Sequence, residues 1–265
     1  MFNNKRKLFI SGGFISNLIL MFGGINLYLN DKLKADLQKI IGENNLKNYL
    51  KEAHNRSAKT YDYRTGRIEI RNQINKYRRI LTSYSQGKIL ETGCGTGINF
   101  VYYKECDDVT AIDYSDRMIE IANKKLETKQ NQDNSEYIVK CNNIKINKLD
   151  CENLKDNFLE NSFDTVIDIN NFQSYYDYFK VIDNIKYVLK DKGKLIVLCR
   201  GESNNIIISQ FYKIFYYTTM MKYGNNFTIN WDKVFLNDKD FRCLYNNRKN
   251  LGKTYLYVLE LNKEH

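Results

Sequence analysis

The segment ILETGCGTGINF, residues 89–100, constrains the fold of this chain more than any other stretch of the sequence. An apolar run leads into Gly93, Gly95 and Gly97, which alternate with other residues. Glycine adopts positive φ angles and lets a backbone approach a ligand closely. A strand that enters such a turn and leaves it as a helix presents backbone N–H groups to a ligand. We therefore predict a strand, a ligand-binding turn and a helix from about Ile98.

Strand and helix patterns alternate from residue 88 onward. Short apolar runs typical of buried strands are separated by longer stretches in which apolar residues recur at helical spacing. This alternation predicts a doubly wound, mostly parallel, seven-stranded α/β sheet that closes with an antiparallel hairpin. The predicted strands are 88–91, 109–112, one between 136 and 149, 163–169, 193–199, 241–245 and 253–261; the other predicted helices are 61–85, 116–128, 175–190 and 204–222.

The amino-terminal residues differ in composition from the rest of the chain. Residues 1–30 contain no acid, and an apolar run at 8–29 follows three basic residues. A helix of about 20 residues crosses a bilayer. The run therefore predicts a membrane anchor, with a cleaved targeting peptide and a buried helix as alternatives. The predicted divisions are a targeting or transmembrane anchor (1–30), a helical linker (31–60) and an α/β domain (61–265).

Composition argues against several kinds of site. The net charge is +10, but Lys and Arg are spread along the chain, which fits a solvated surface better than a nucleic-acid interface. The chain has no proline, so the proline-containing motifs of several nucleic-acid methylases are absent. The six cysteines form no C-x-x-C pair, and the only histidines are His54 and His265. Neither a zinc site nor a disulfide framework is predicted.

Two acids near the glycine turn narrow the choice of ligand. Ile98 stands where the dinucleotide pattern G-x-G-x-x-G has its third glycine, which argues against a pyrophosphate. Asp113, at the end of the second predicted strand, could accept hydrogen bonds from both hydroxyls of a ribose. Glu91, at the mouth of the turn, suits an amine. S-adenosylmethionine has a ribose, an amine and no pyrophosphate; in the alternative, the glycines form only a tight turn and Asp113 is only a helix N-terminal acid.

Five stretches resemble the motifs of class I S-adenosylmethionine-dependent methyltransferases, which implies a Rossmann-like methyltransferase fold. The resemblance covers about residues 61–261 and is strongest to the UbiE-like branch, small-molecule C-methyltransferases of quinone synthesis. A still closer resemblance is to a membrane-anchored, mitochondrial methyltransferase-like group, through the apolar run, YRRIL (77–81) and INWD (229–232). The five stretches are ILETGCGTGINF (89–100), VTAIDYSDRMIEIA (109–122), LDCENL (149–154), NSFDTVIDINNFQSYYD (161–177) and VLKDKGKLIVL (188–198).

The resemblance implies a set of cofactor-binding residues. The methionine part of S-adenosyl-L-methionine would lie on Glu91 and the glycine turn, and Asp113 would bind the ribose. Tyr114 would flank the adenine, whose edge would meet the pair at 150–151. The implied set is Glu91, Gly93, Gly95, Gly97, Asp113, Tyr114, Asp150, Cys151 and Asn170, with Asn142 as an alternative to Asp150.

The resemblance leaves the acceptor side unassigned. Asn170 and Asn171 would face the sulfonium and the acceptor. After the fifth strand the close group tends to show an acid and a histidine, whereas this chain has Cys199 and Arg200. The remaining candidate bases, for which structural roles are the simpler interpretation, are Asp168, Tyr175 and Asp177.

The sequence thus predicts a methyltransferase held by an N-terminal helix in the mitochondrial inner membrane. Its partner would be a small, lipid-soluble or quinone-like acceptor, and nucleic acid is not expected as a partner. The catalytic residues and the oligomeric state are not predicted. The alternatives are a protein or RNA methyltransferase, and a non-catalytic assembly or scaffold protein that keeps the fold.

Overall fold

The computed structural model describes residues 46–104, 107–129 and 139–263, together with the single helical positions 32, 36 and 39. The predicted anchor at 1–30 lies outside the described residues. Within them, no helix combines the length and the apolar character that crossing a bilayer requires.

A mixed sheet of seven strands forms the centre of the protein. The strands are β1 (Lys88–Thr92), β2 (Asp108–Asp113), β3 (Asn143–Lys148), β4 (Phe163–Ile169), β5 (Leu189–Arg200), β6 (Phe241–Lys249) and β7 (Thr254–Leu261). Their order across the sheet is β3-β2-β1-β4-β5-β7-β6. Strands β1 to β5 are parallel, and β7 is antiparallel to both β5 and β6. The predicted parallel sheet with a closing antiparallel pair is confirmed.

Helices connect the strands and cover the sheet. They are α1 (Leu46–Arg71), α2 (Ile74–Thr82), α3 (Asp116–Lys129), α4 (Tyr178–Val188), α5 (Ile206–Ile214), α6 (Tyr216–Tyr223) and α7 (Trp231–Phe235). The single helix predicted over 204–222 is therefore two helices. The helix predicted from Ile98 is instead a short 3₁₀ helix, Ile98–Tyr102, because Phe100 and Tyr103 are buried against the sheet.

Helix α1 runs without a break across residue 60, where the sequence suggested the end of a linker. It packs on α3 and α6, and its Leu50, Ala53 and Ala58 are buried. The continuous helix predicted over 61–85 ends instead near Gln73, whose φ of 56° is left-handed, and α2 begins after it. Residues 46–60 are thus packed on the α/β fold.

Apolar side chains cover both faces of the sheet. Ile89 and Leu90, adjacent in β1, belong to opposite layers of the core. The layer around Leu90 includes an aromatic cluster in which Phe172 packs against Trp231 and Phe235. Strands that are buried on both faces have near-continuous apolar sequences, which is why the run at 89–90 predicted a buried strand.

Candidate active site

A cavity of about 430 Å³ opens at the carboxyl ends of the parallel strands. Helix α1 forms one wall, and α6 with the loop that follows it forms another. Ligands of open α/β sheets bind in this position, because the loops that leave successive strands converge there. Each parallel strand contributes a residue at or just beyond its end, and these residues are Gly93, Asp113, Leu149, Asn170 and Arg200.

The three glycines of the turn have different roles. All have positive φ angles, of 59° at Gly93, 55° at Gly95 and 76° at Gly97. A Cβ atom on Gly93 would lie 2.5 Å from the Asn171 side chain, and one on Gly97 would strike the ring of Phe100. A Cβ on Gly95 would meet no atom within 4 Å. Gly93 and Gly95 line the cavity, whereas Gly97 is required for packing beneath the turn.

Asp113 is joined to the glycine turn by a hydrogen bond. Its Oδ2 accepts from the Gly95 N–H at 2.9 Å, and its Oδ1 accepts from the Ser115 N–H at 2.8 Å. The side chain lines the cavity, and burial raises the pKa of its carboxyl to about 6. Each carboxylate oxygen has a second lone pair that can accept a hydrogen bond from a ligand hydroxyl.

Tyr114 lies beside Asp113 at the same end of the cavity. Its hydroxyl is 2.8 Å from Nδ1 of His54 on α1. The same imidazole forms a hydrogen bond with the backbone of Tyr223. Burial lowers the pKa of His54 to about 4, so this histidine is neutral at physiological pH. The sequence interpretation placed His54 before the fold and gave it no role. No local signal could have found it, because its partners come from distant segments.

Asp150 and Cys151 complete this end of the cavity. The Asp150 Oδ2 pairs with Lys47 Nζ at 2.7 Å, and its Oδ1 accepts from the Glu152 N–H at 2.9 Å. Cys151 is buried, which raises the pKa of its thiol. Both residues line the cavity. The alternative residue, Asn142, is exposed and does not line it.

Glu91 lies behind the cavity wall. It is fully buried, and its carboxylate accepts hydrogen bonds from the Asn99 amide at 2.7 Å and the Tyr103 hydroxyl at 2.8 Å. Burial raises the pKa of Glu91 to about 7. Asn99 lines the cavity and separates Glu91 from it. The sequence expectation that Glu91 itself lines the methionine part therefore does not match its position.

A buried ion pair links Glu91, through Asn99, to Asn170 after β4. The Arg78 guanidinium donates to the Glu69 carboxylate and to the Asn99 side-chain oxygen. Glu69 also accepts from the Asn170 amide at 3.3 Å. The sequence predicted that the basic residues lie on a solvated surface, but only 2% of Arg78 is exposed. That expectation is wrong because the tertiary fold places α2 against the glycine turn.

Asn170 and Asn171 follow β4 and differ in what they bind. The Asn171 amide donates to the carbonyl oxygens of Thr92 at 3.0 Å and Ile169 at 3.1 Å, so it braces the two strand ends. Asn170 has a φ of 67° and lines the cavity. Its Oδ1 is buried and has no hydrogen-bond partner among the described residues. A buried acceptor of this kind suits a ligand that donates, such as an ammonium group.

The three candidate bases are held in structural bonds. The Tyr175 hydroxyl donates to Asp168 Oδ2 at 2.5 Å, and Thr92 donates to the same oxygen at 2.9 Å. Burial raises the pKa of Asp168 to about 7. Asp177 caps α4 by accepting from the Lys180 N–H at 3.0 Å. No cluster of potential metal ligands occurs among the residues that the structure describes.

Comparison with known proteins agrees with this geometry. A family model described as "Methyltransferase domain" matches residues 90–197. A curated relative, "Methyltransferase OMS1, mitochondrial" of Saccharomyces cerevisiae, is 28% identical over 193 residues, which are 70% of this chain. The match covers 40% of that protein, so this chain spans well under two thirds of its relative's length.

Solved structures share the fold at low sequence identity. An S-adenosylmethionine-dependent methyltransferase from Methanosarcina mazei has a TM-score of 0.53 at 19% identity, over 70% of this chain and 98% of its own. The YcgJ protein of Bacillus subtilis has a TM-score of 0.55 at 11% identity, over 72% of this chain and 100% of its own. The strand order and the matched family model show that this chain contains a methyltransferase domain with the fold of the S-adenosylmethionine-dependent enzymes, which implies S-adenosylmethionine as its cofactor.

Proposed function

We propose that this protein transfers a methyl group from S-adenosylmethionine to a small, lipid-soluble acceptor. The observation that carries the proposal is the extent of the cavity. Its lining continues from Asp113 and the glycine turn, past Asn170, to Arg200 and the loop after α6. One cavity could therefore hold both a cofactor and an acceptor, with their reacting ends near Asn170.

The residues at the strand ends fit the cofactor. Asp113 can accept hydrogen bonds from ribose hydroxyls, and the space above Gly95 is open. Tyr114, with Asp150 and Cys151, would enclose the adenine. The Asn170 Oδ1, which has no partner among the described residues, could accept from the methionine amine. In this proposal Glu91 acts indirectly, by holding Asn99.

When bound, S-adenosylmethionine supplies an electrophilic methyl group. The protein's contribution would be to position the acceptor and exclude water. Each acidic side chain that lines the described cavity already has a partner: Glu69, Asp113, Asp150 and Glu152. Because each of these carboxylates already has a hydrogen-bond or ionic partner, an acceptor that is already ionised suits this site best.

The membrane location rests on the sequence and on the relative. The apolar run at 8–29 has the length of a membrane anchor and would hold the cavity near a bilayer that dissolves the acceptor. The name of the yeast relative supports a mitochondrial location. The inner membrane is our proposal within that organelle.

Calorimetric titration of the full chain in detergent with S-adenosylmethionine tests the cofactor site. Micromolar binding is expected, and both Gly95→Asp and Asp113→Ala should abolish it. Asp116→Ala is the matched control, because this acid is exposed and lies on the first turn of α3. Absence of binding by folded wild-type protein would contradict the proposal.

Transfer of a labelled methyl group into a lipid extract tests the reaction itself. Label is expected in the lipid fraction with wild-type protein and not with Asp113→Ala. A non-catalytic assembly role is the second candidate. It is favoured because each acidic side chain that lines the described cavity already has a hydrogen-bond or ionic partner. Cofactor binding without transfer, and cellular function that survives Asp113→Ala, would establish that role instead.

A further inference from the structure

Two arginines face the acceptor side of the cavity from different elements. Arg200 comes from the end of β5 and Arg64 from α1. The Arg200 guanidinium lies over the Phe227 ring at 4.3 Å, and that of Arg64 lies over the Tyr223 ring at 5.7 Å. Since Tyr223 ends α6 and Phe227 is in the loop that follows, one short segment holds both guanidinium groups on the same side.

Neither arginine is neutralised by the residues that the structure describes. Neither makes an ion pair with them, and the Arg64 Nε is buried without a hydrogen-bond partner among them. The other two cations of the cavity differ in this respect. Lys47 pairs with Asp150, and Arg78 pairs with Glu69.

A bound sulfonium would add positive charge to a region that already holds two unpaired cations. Partly buried charges without a counter-ion are unfavourable, because they lose hydration without gaining an ionic partner. The acids of the cavity are engaged at the ribose end or with other cations. An anion supplied by a ligand would therefore stabilise this side of the site.

We propose that the acceptor carries a carboxylate, and that Arg200 binds it with Arg64 beside it. This proposal rests on the proposed methyl transfer and adds the chemical class of the acceptor. A guanidinium presents a flat fork of N–H groups that matches the two oxygens of a carboxylate. The rings of Tyr223 and Phe227, together with Ile68, give the remaining wall an apolar character suited to the body of the acceptor.

The methionine carboxylate of the cofactor is the rival source of the anion. The two sources make different demands on the same arginines. If the guanidinium groups bind the cofactor, their removal should weaken S-adenosylmethionine binding. If they bind the acceptor, removal should leave cofactor binding intact and abolish a preference for carboxylate over a neutral analogue.

The test measures by calorimetry the affinity of the full chain, saturated with S-adenosylhomocysteine, for two probes. The probes are naphthalene carboxylate and the neutral naphthalene carboxamide of the same shape. Wild-type protein should bind the carboxylate at least about tenfold more tightly, since hydrogen bonds to charged groups are the stronger ones. Arg200→Gln should remove that preference, and Arg200→Lys should retain part of it.

Two further variants complete the design. Arg64→Gln should also reduce the preference, and it serves as an independent test if Arg200→Gln does not fold. Arg67→Gln is the matched control, because Arg67 is exposed on the same helix and does not line the cavity. It should keep the full preference. The affinity for S-adenosylmethionine should stay within about twofold of wild type in all four variants, since none of them removes a proposed cofactor contact.

Four outcomes would overturn the proposal. Equal affinity of the wild-type protein for the two probes would contradict the proposal that the acceptor carries a carboxylate. Failure to bind either probe would contradict it as well. Loss of S-adenosylmethionine affinity in Arg200→Gln and Arg64→Gln, with the carboxylate preference kept, would assign the arginines to the cofactor. Absence of cofactor binding by wild-type protein, measured first and separately, would instead remove the proposed function on which the inference rests.

Discussion

The two ends of the cavity are built in different ways. At the ribose end, Gly95 and Asp113 lie at the carboxyl ends of two neighbouring parallel strands, and a hydrogen bond from the Gly95 N–H to Asp113 joins them at 2.9 Å. At the acceptor end, Arg200 is the last residue of β5, but Arg64 comes from α1, and aromatic rings from α6 and the loop after it lie against both guanidinium groups. The ribose end depends on strand geometry, whereas the acceptor end depends on how α1, α6 and the last loops pack.

This difference separates the part of the site whose geometry the sheet fixes from the part that side-chain substitutions can alter. Parallel strands fix the positions of the residues that follow them, so the ribose end has little freedom. The helices that form the acceptor wall can exchange side chains without moving a strand. One network of buried hydrogen bonds lies between the two ends and runs from Asn170 through Glu69 and Arg78 to Asn99.

Removal of Arg78 should have the largest effect on the fold. Arg78→Met leaves the Glu69 carboxylate buried without its counter-ion, so the free energy of unfolding should fall by about 3–5 kcal/mol. Urea unfolding at neutral pH measures the change. Exposed Arg79 is the neighbouring control, and Arg79→Met should change stability by less than about 0.5 kcal/mol.

A second substitution distinguishes the ion pair from simple packing. Glu69→Gln combined with Arg78→Met removes the uncompensated charge and should recover part of the lost stability. If the loss of unfolding free energy in the double variant equals the sum of the losses in the two single variants, Glu69 and Arg78 do not act as an ion pair. The contribution of these residues to stability would then come from packing alone.

Alanine at two glycines of the turn should separate stability from ligand binding. The added Cβ on Gly93 would strike the Asn171 side chain, which two hydrogen bonds hold in place. Left-handed backbone strain and this contact should together lower the free energy of unfolding by about 2–3 kcal/mol.

Gly95→Ala should behave differently from Gly93→Ala. Its Cβ meets no atom, so strain alone should cost about 1–2 kcal/mol of stability. The new methyl group would occupy space at the cavity, and S-adenosylmethionine affinity should fall. Urea unfolding and calorimetry on both variants give the comparison. Equal loss of stability, or unchanged cofactor affinity in Gly95→Ala, would contradict the role assigned to each glycine.

Most of the sheet could be predicted from the sequence because its strands are buried on both faces. The predicted strand at 163–169 matches β4 residue for residue. The third strand could not be placed closely, since the pattern in β3 mixes polar residues with two isoleucines and its burial is partial. The helix expected after the glycine turn was wrong in type, because buried Phe100 and Tyr103 limit that connection to a short 3₁₀ helix.

The site was predictable where a residue's position follows from a strand end. Gly95, Asp113 and Asn170 lie at the cavity for that reason. Contacts between distant segments were not predictable. His54 reaches Tyr114 from 60 positions away, and Glu69 reaches Asn170 from 101 positions away. A single sequence shows neither approach, since both depend on how α1 packs across the strand ends.

The buried carboxyl of Glu91 should make stability depend on pH. Burial raises its pKa from an ordinary 4.5 to about 7 in the folded protein. The folded state then binds more protons than the unfolded state between these values, so stability should fall as pH rises from about 5 to about 7. Asp168, with a pKa of about 7, and Asp113, with a pKa of about 6, act in the same direction.

Glu91→Gln tests whether the carboxyl of Glu91 contributes to this pH dependence. Glutamine keeps the shape and the polar partners but cannot ionise, so the variant should show a shallower pH dependence, smaller by up to about 1.4 kcal/mol per pH unit. Urea midpoints at several pH values, without cofactor, give the slope. An unchanged slope would mean that Glu91 does not titrate in this range.

The substitution with the smallest expected effect tests whether α1 can be stabilised without a change in cofactor binding at the ribose end. Gly66 lies inside α1, and a Cβ atom added there would meet no other atom within 4 Å. Because glycine in a helix loses more backbone freedom on folding than alanine, Gly66→Ala should raise the free energy of unfolding by about 0.5–1 kcal/mol. Cofactor affinity should not change, since Gly66 does not line the cavity. Urea unfolding and calorimetry on one preparation measure both quantities. A gain in stability with altered S-adenosylmethionine affinity would show that the motion of α1 governs access to the ribose end, and the two ends would then not be independent.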